Sequence, residues 1–198
     1  QSALLEAMGE GQVSIEGVTH PLPKPFMVIA TQVGSGGEGT YPLTDVQVDR
    51  FLLRSLSYYP SRDEEKQVLS RIDYLDAPSL TAVVSHAEIE EIREAARQVH
   101  VAEAVLGYML DIVEALRGDP DLSRGPSPRG SISLYKSCRA WALLEGRDFV
   151  IPDDVKHLAQ LALGHRVHVK AEAEMEGVSP ELVVNRALSR VAVPKIPV

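Results

Sequence analysis

The sequence predicts a chain in two parts, a small α/β segment over residues 1–58 and a mainly α-helical domain over residues 59–198. The apolar run Phe26–Ala30 is typical of a strand buried on both faces of a parallel sheet. From Ser61 onward, apolar residues recur at helical spacing and no β-rich pattern interrupts them. The helical part alone has the size of an independent domain.

Bulk composition narrows the class of protein. With 198 residues, 44% of them hydrophobic, the chain can build a sizeable core. The net charge of −8 and the absence of a Lys/Arg stripe argue against nucleic-acid binding as the main function. The single cysteine, Cys138, excludes an internal disulfide, and no secretory or transmembrane run occurs. We therefore expect a cytoplasmic protein without a membrane span.

The first elements are short. Apolar spacing predicts a helix over residues 2–8, ended by glycines, and then a strand over Gln12–Glu16. Because the chain opens inside this helix without a methionine, we expect a fragment of a longer protein. The proline-rich stretch His20–Pro25 is expected to exclude regular structure until the Phe26 strand. Val33–Gly39, with four glycines in seven residues, predicts a mobile loop.

Capping signals mark the helices that follow. Ser61 and Ser85 each precede a glutamate by three residues, the spacing of a capping box. Further helices are predicted over residues 101–117, after Pro128, and from Pro152 toward His165. The first of these should point six apolar residues inward: Val105, Tyr108, Met109, Ile112, Val113 and Leu116.

Three stretches resemble one known family. They are FMVIATQ at 26–32, GTYPLTDVQVDRFLLRSLSYYPSR at 39–62, and SPRGSISLYKSCRAWALLEGRDFVIPDDVK from residue 127. Together they resemble the second half of a MoxR-type AAA+ ATPase. The resemblance implies an α/β remnant of an AAA+ P-loop core followed by a mainly α-helical lid domain. No GxxxxGK[ST] phosphate loop occurs in these residues, so Walker A and Walker B are expected upstream of Gln1.

The resemblance places sensor 1, which positions the attacking water, at the end of the Phe26 strand. MoxR-like chains usually read ATQNP here, and this chain reads ATQVG. Val33 offers neither donor nor acceptor and cannot orient water, which leaves Gln32 as the candidate. The alternative is that Thr31 and Gln32 only end a buried strand.

Arg50, in Asp49-Arg50-Phe51, is the candidate arginine finger that the resemblance implies. A guanidinium that reaches across a subunit boundary can neutralise charge on a transferring phosphoryl group. The alternative from the residues alone is an arginine paired with Asp45 or Asp49 on a solvated helix face. Arg54 competes for the same role.

Arg129 lies in the first turn of the helix that Pro128 begins. Free N–H groups at a positive dipole end, together with a fixed cation, suit an anion. A generic helix start with a solvated arginine is the alternative. The resemblance implies that Arg129 is sensor 2, which contacts the γ-phosphate from the lid of its own subunit, the lid swinging on a hinge near Pro60.

No metal site is predicted. His165 and His168 are three residues apart, but two ligands do not hold a metal and no third lies near them in the sequence. The Mg²⁺ of an MgATP cofactor would be held mainly by residues outside this chain.

The family implies a homo-oligomer, expected to be a hexamer, in which ATP hydrolysis drives chaperone-like remodelling of clients or insertion of cofactors into them. Proteins with a von Willebrand factor A domain are the implied partners. Two alternatives stay open: a non-catalytic helical adaptor derived from an AAA+ lid, and a helical binding domain unrelated to nucleotides.

Overall fold

A computed structural model describes residues 2–32, 43–77 and 79–195. Within these ranges the chain is rich in helix and carries two small two-stranded sheets. The predicted glycine loop Val33–Gly39 lies outside the described residues. None of the helices in the described ranges is long and apolar enough to cross a membrane.

The N-terminal segment is a helix followed by a hairpin. Helix α1 (Ser2–Glu10) ends at Gly11, whose φ is +65°. Strand β1 (Gln12–Ile15) pairs antiparallel with β2 (Val18–Pro21). The helix and β1 confirm the prediction, whereas β2 contradicts the expectation of irregular chain from His20. A two-stranded hairpin has only edges, where a proline without an N–H is tolerated.

The predicted parallel strand at Phe26–Ala30 is wrong. The segment forms neither strand nor helix, and Met27 and Ile29 are 76% and 80% exposed. A run of this kind becomes a buried strand only when neighbouring strands cover it. The described ranges place no strand beside it, since their two sheets are β1–β2 and the short pair in the lid.

A short helix and a long connection lead to the helical part. Helix α2 (Asp45–Val48) is followed by extended chain, then by α3 (Arg62–Ser70), α4 (Ile72–Asp76) and α5 (His86–Gln98). Both predicted capping boxes are confirmed: the hydroxyl oxygens of Ser61 and Ser85 accept from the N–H groups three residues on. Helices α3, α4 and α5 bury none of their residues.

The apolar core lies in the residues from Val99 onward. It is built by α6 (Glu103–Arg117), α7 (Pro128–Leu144), α8 (Pro152–Leu163) and α10 (Pro180–Arg190), and the short α9 (Ala171–Met175) lies beside it. All six residues predicted to point inward from α6 are buried. Prolines at the first positions of α7, α8 and α10 fix where these helices begin.

A small β pair corrects the expectation of an uninterrupted helical region. Strand β3 (Leu122–Arg124) pairs antiparallel with β4 (His168–Val169), which follows a 3₁₀ turn over Gly164–Arg166. Strands of two or three residues are too short to show a periodic pattern in sequence. Their pairing brings Arg124 and His168 together beside the start of α7.

Candidate functional site

A cavity of about 280 Å³ lies where α2 meets the helical part. It is charged and open to solvent, and the elements around it come from distant parts of the chain. Helix α2 and the residue after it supply one wall, and β3, the start of α7, the 3₁₀ turn and β4 supply the others. The polar lining residues are Asp45, Asp49, Arg124, Ser127, Arg129, His165, Arg166 and His168.

The carboxylate of Asp49 is the centre of the hydrogen bonds at this cavity. The Ser127 hydroxyl donates to it, with Oγ 3.0 and 2.9 Å from the two carboxylate oxygens. Arg166 Nε donates to Oδ1 at 3.1 Å, and Arg129 Nη1 lies 3.5 Å from Oδ2. One side chain beside α2 is therefore bound by three residues of the helical part.

Arg166 is a buried clamp on the chain after α2. Only 4% of the residue is exposed. Its Nη2 donates to the backbone oxygens of Asp49 and Phe51, at 3.0 and 2.6 Å, and to Ser133 Oγ at 3.0 Å. Its Nη1 donates to the Ala162 carbonyl. Burial lowers the pKa of this guanidinium, and the charge of Asp49 opposes that effect. Since its donors are engaged within the protein, Arg166 holds structure and does not bind a ligand.

Arg129 is a cation available to a ligand at this cavity. Half of its side chain is exposed, and its contact with Asp49 is longer than a hydrogen bond. The backbone of the same helix turn is not available, because Arg129 N donates to Ser127 Oγ and Gly130 N donates to the Ser127 carbonyl. The expected free N–H groups at this helix start are thus absent, and an anion would contact the guanidinium.

A second ionic group lies at the outer edge of the cavity. Arg124 Nη2 is 2.6 Å from Asp45 Oδ2 and 2.7 Å from His168 Nε2. Across the described ranges, no group of three or more His, Cys, Asp or Glu side chains is placed to hold a metal ion. The exposed guanidinium groups of Arg124 and Arg129 fit contact with an anion.

His165 lines the cavity from the 3₁₀ turn. The residue is 7% exposed, and its Nε2 donates to the Phe51 carbonyl at 3.2 Å. Burial, together with the nearby charge of Arg166, lowers the pKa of His165 to about 4. The imidazole is therefore neutral at pH 7, with its proton on Nε2.

Arg50 follows Asp49, does not line the cavity, and lies beside α1. Its Nη1 lies so close to Gly9 of α1 that a Cβ there would approach to 2.8 Å, and its Nε is buried without a hydrogen-bond partner. The carboxylates that the sequence offered as partners are paired with other residues of the described ranges, Asp45 with Arg124 and Asp49 with Arg166. The alternative in which Arg50 pairs with either of them is not observed.

Gln32 is exposed at the end of the unpaired Phe26 segment and does not line the cavity. Val33, which the sequence places at the sensor 1 position, lies outside the described residues. Arg54, the competitor of Arg50, is held through its backbone N–H, which donates to the Leu161 carbonyl at 2.9 Å.

Two important residues of the site, Ser127 and Arg166, were not singled out from the sequence, and Asp49 was considered only as a possible partner of Arg50. Asp49 lies directly before Arg50, and Ser127 lies two residues before Arg129. Both positions are therefore inside the motifs that contain these arginines. Arg166 lies between His165 and His168, which the sequence offered only as two residues too few to hold a metal. A buried arginine gives no sequence signal that separates it from a solvated one.

Comparison with known proteins agrees with this architecture. The model of the ATPase family associated with various cellular activities (AAA) matches residues 1–53, and the AAA lid domain model matches residues 114–187. The crystal structure of a protein from Cytophaga hutchinsonii, described as a candidate ATPase, superposes with a TM-score of 0.90 at 35% identity. That match covers 98% of this chain and 62% of the other.

Curated relatives give the same result. An uncharacterized protein, YeaC, from Bacillus subtilis is 42% identical over 98% of this chain and 61% of its own length. Chaperone MoxR1 from Mycobacterium tuberculosis is 38% identical over 99% of this chain and 54% of its own length. The chain thus spans between about half and two thirds of the length of these relatives.

The end of an AAA core, joined to an AAA lid through a charged cavity, defines a piece of an AAA+ module. Within that class, the chain belongs to the MoxR family of AAA+ proteins. Its residues correspond to a core remnant and the helical lid, as the sequence predicted.

Proposed function

We propose that this chain supplies the arginine finger, Arg50, and the sensor 2 arginine, Arg129, of a MoxR-type ATPase. The observation that carries the proposal is the Asp49 junction. A core residue directly before Arg50 is bound there to the first turn of α7, beside the half-exposed Arg129. In this arrangement Asp49, the chain neighbour of Arg50, is hydrogen-bonded to Ser127, whose Oγ accepts the backbone N–H of Arg129. A phosphate contact at one arginine can thus be communicated to the other.

The cofactor of the proposed reaction is MgATP. Arg129 would contact its terminal phosphate, since a guanidinium fork matches two phosphate oxygens. ATP with its Mg²⁺ supplies the phosphoryl group and the charge neutralisation that hydrolysis needs. Gln32 is the proposed substitute at sensor 1. Walker segments, which these 198 residues lack, would cradle the phosphates.

The assembly belongs to the same proposal. An arginine finger works across a subunit boundary, so the active form would be a homo-oligomer, for which we propose a hexamer. Coupled to client proteins, turnover would drive remodelling or cofactor insertion, and a protein with a von Willebrand factor A domain is the proposed client or partner. One relative, from Mycobacterium tuberculosis, is named a chaperone, in keeping with this role.

The test is ATP turnover by a full-length protein that joins this chain to Walker A and Walker B segments. Arg129→Ala should abolish coupled turnover, and Arg50→Ala should lower kcat by about a thousand-fold or more. The matched controls are Arg124→Ala, at the same cavity but paired with Asp45, and Arg54→Ala, the competing finger. Full activity of the Arg129 or Arg50 variant would reject that residue's assignment.

A non-catalytic adaptor is the second candidate. It is favoured by the departure from the family pattern at sensor 1, where Val33 follows Gln32. The two candidates differ when this chain is mixed with a Walker-bearing half. Turnover of ATP by the mixture supports the ATPase, whereas a stable complex without turnover supports the adaptor.

A further inference from the structure

The carboxylate of Asp49 lies between two lid arginines that differ greatly in freedom. Arg166 is buried, and its donors are occupied by four residues besides Leu52. Arg129 is half exposed and reaches Asp49 only at 3.5 Å. The Asp49 carboxylate is 21% exposed, but its contact with the half-exposed guanidinium is long and therefore weak, so Arg129 can leave Asp49 at little cost while Arg166 cannot.

Ser127 keeps the Asp49 carboxylate close to Arg129. Its hydroxyl hydrogen points to the Asp49 carboxylate, and its oxygen accepts the N–H of Arg129 at 3.1 Å. The carboxylate is therefore fixed to the first turn of α7. From that position it faces the guanidinium of Arg129 within the cavity.

We propose that Asp49 holds Arg129 in a resting position, and that a phosphate anion competes with Asp49 for the same guanidinium. The inference rests on the proposed phosphate contact of Arg129. When Arg129 turns to the anion, Asp49 keeps its ion pair with Arg166. The partly buried carboxylate is therefore not left unpaired. Asp49 is thus a positioning residue that sets the affinity of the site for phosphate.

The resting contact is tested in the chain without any ligand, by its reaction with phenylglyoxal followed residue by residue with mass spectrometry. In Asp49→Asn, which keeps an oxygen for Arg166 and Ser127, Arg129 should react about two- to five-fold faster, the size expected for an exposed ion pair. The matched control, Asp45→Asn, should accelerate Arg124 and leave Arg129 unchanged. An unchanged Arg129 rate in folded Asp49→Asn would overturn the proposal.

A second variant covers the case in which Asp49→Asn does not fold. Ser127→Ala removes the hydroxyl that fixes the carboxylate but keeps both charges, and it too should raise the Arg129 rate. Continued protection of Arg166 reports that the fold is intact. A Ser127→Ala chain with protected Arg166 and an unaltered Arg129 rate would contradict the resting contact.

Competition is tested by adding inorganic tripolyphosphate to the same reaction. Tripolyphosphate should protect Arg129 from phenylglyoxal in both the unchanged chain and Asp49→Asn. Half-protection of Asp49→Asn should need an about two- to five-fold lower concentration. Equal protection in the two proteins would overturn the competition. Faster Arg129 modification in Asp49→Asn, with no protection in either protein, would instead overturn the proposed phosphate contact and leave the resting contact standing.

Discussion

At the scale of single residues, Arg147 and Asp154 form an ion pair of the lid, outside the cavity, that is joined by two hydrogen bonds. Arg147 donates two hydrogen bonds to the Asp154 carboxylate, at 2.8 and 2.6 Å, and Asp154 also accepts the N–H of Ile151. Asp154 is 3% exposed. The pair therefore fixes the start of α8 against the end of α7.

Removal of Arg147 should strongly destabilise the lid, because it leaves a buried carboxylate without its cation. We expect Arg147→Ala to lower the free energy of unfolding by about 3–5 kcal/mol, measured by urea denaturation. Lys156→Ala is the matched control, since Lys156 pairs with Asp153 on the exposed face of the same helix. That variant should change stability by less than about 1 kcal/mol. Equal effects of the two would contradict the buried-pair argument.

His165 should make stability depend on pH. Its pKa is about 4 in the folded protein, against 6.5 for a free histidine, so the unfolded chain binds a proton first as pH falls. Stability should therefore fall between pH 6.5 and pH 4, and the contribution of this residue should reach roughly 3 kcal/mol. The urea midpoints of His165→Gln should show a smaller loss over that range. His86→Gln, at the exposed start of α5, should behave like the parent chain.

At the scale of elements, the packing of α7 on α8 depends on a glycine. A Cβ at Gly130 would lie 2.9 Å from Pro126 Cβ and 3.2 and 3.3 Å from side-chain atoms of Leu163 and Arg166. The absence of a side chain thus lets the first turn of α7 approach the Arg166 clamp closely.

Two glycine-to-alanine substitutions should have opposite effects on the free energy of unfolding. Gly130→Ala should destabilise by about 1–3 kcal/mol through overpacking. Gly107→Ala, in α6, meets no atom within 4 Å and should stabilise by about 0.5–1 kcal/mol, because alanine is the better helix former. Thermal or urea unfolding of both variants checks the pair, and a stabilising Gly130→Ala would show that the first turn of α7 can shift without cost.

At the scale of the whole molecule, stability is concentrated from Val99 onward. The core cluster of buried residues lies there, whereas α3, α4 and α5 bury none of their residues. Resistance to local opening depends on buried contacts.

The rates of amide hydrogen exchange should therefore differ between the two parts of the chain. Amides of α6, α7 and α8 should exchange on the order of a hundred-fold or more slowly than those of α3 and α4, as measured by mass spectrometry after pepsin digestion. Helix α3 buries none of its residues and α6 buries six, so the comparison reports the effect of burial. Similar protection in both groups would mean that another surface covers α3 and α4 in solution.

Local features of this protein could be predicted because they depend on neighbouring residues. The capping boxes at Ser61 and Ser85, the first-turn prolines and the inward face of α6 involve residues a few positions apart. The prediction of a strand at Phe26 was wrong for the opposite reason. An apolar run becomes a strand only when it pairs with strands from elsewhere in the fold.

The sequence by itself therefore determined the helices of the lid, the family, and the motifs that contain Arg50 and Arg129. Only the tertiary structure decided which of the 20 Lys and Arg residues meet which carboxylate. Asp49 binds Ser127 and Arg166 across separations of 78 and 117 residues. Ion pairing depends on distance and burial in space, and neither is encoded in the local spacing of residues. For that reason the contacts of Arg166 with the chain after α2 could not be predicted from the sequence.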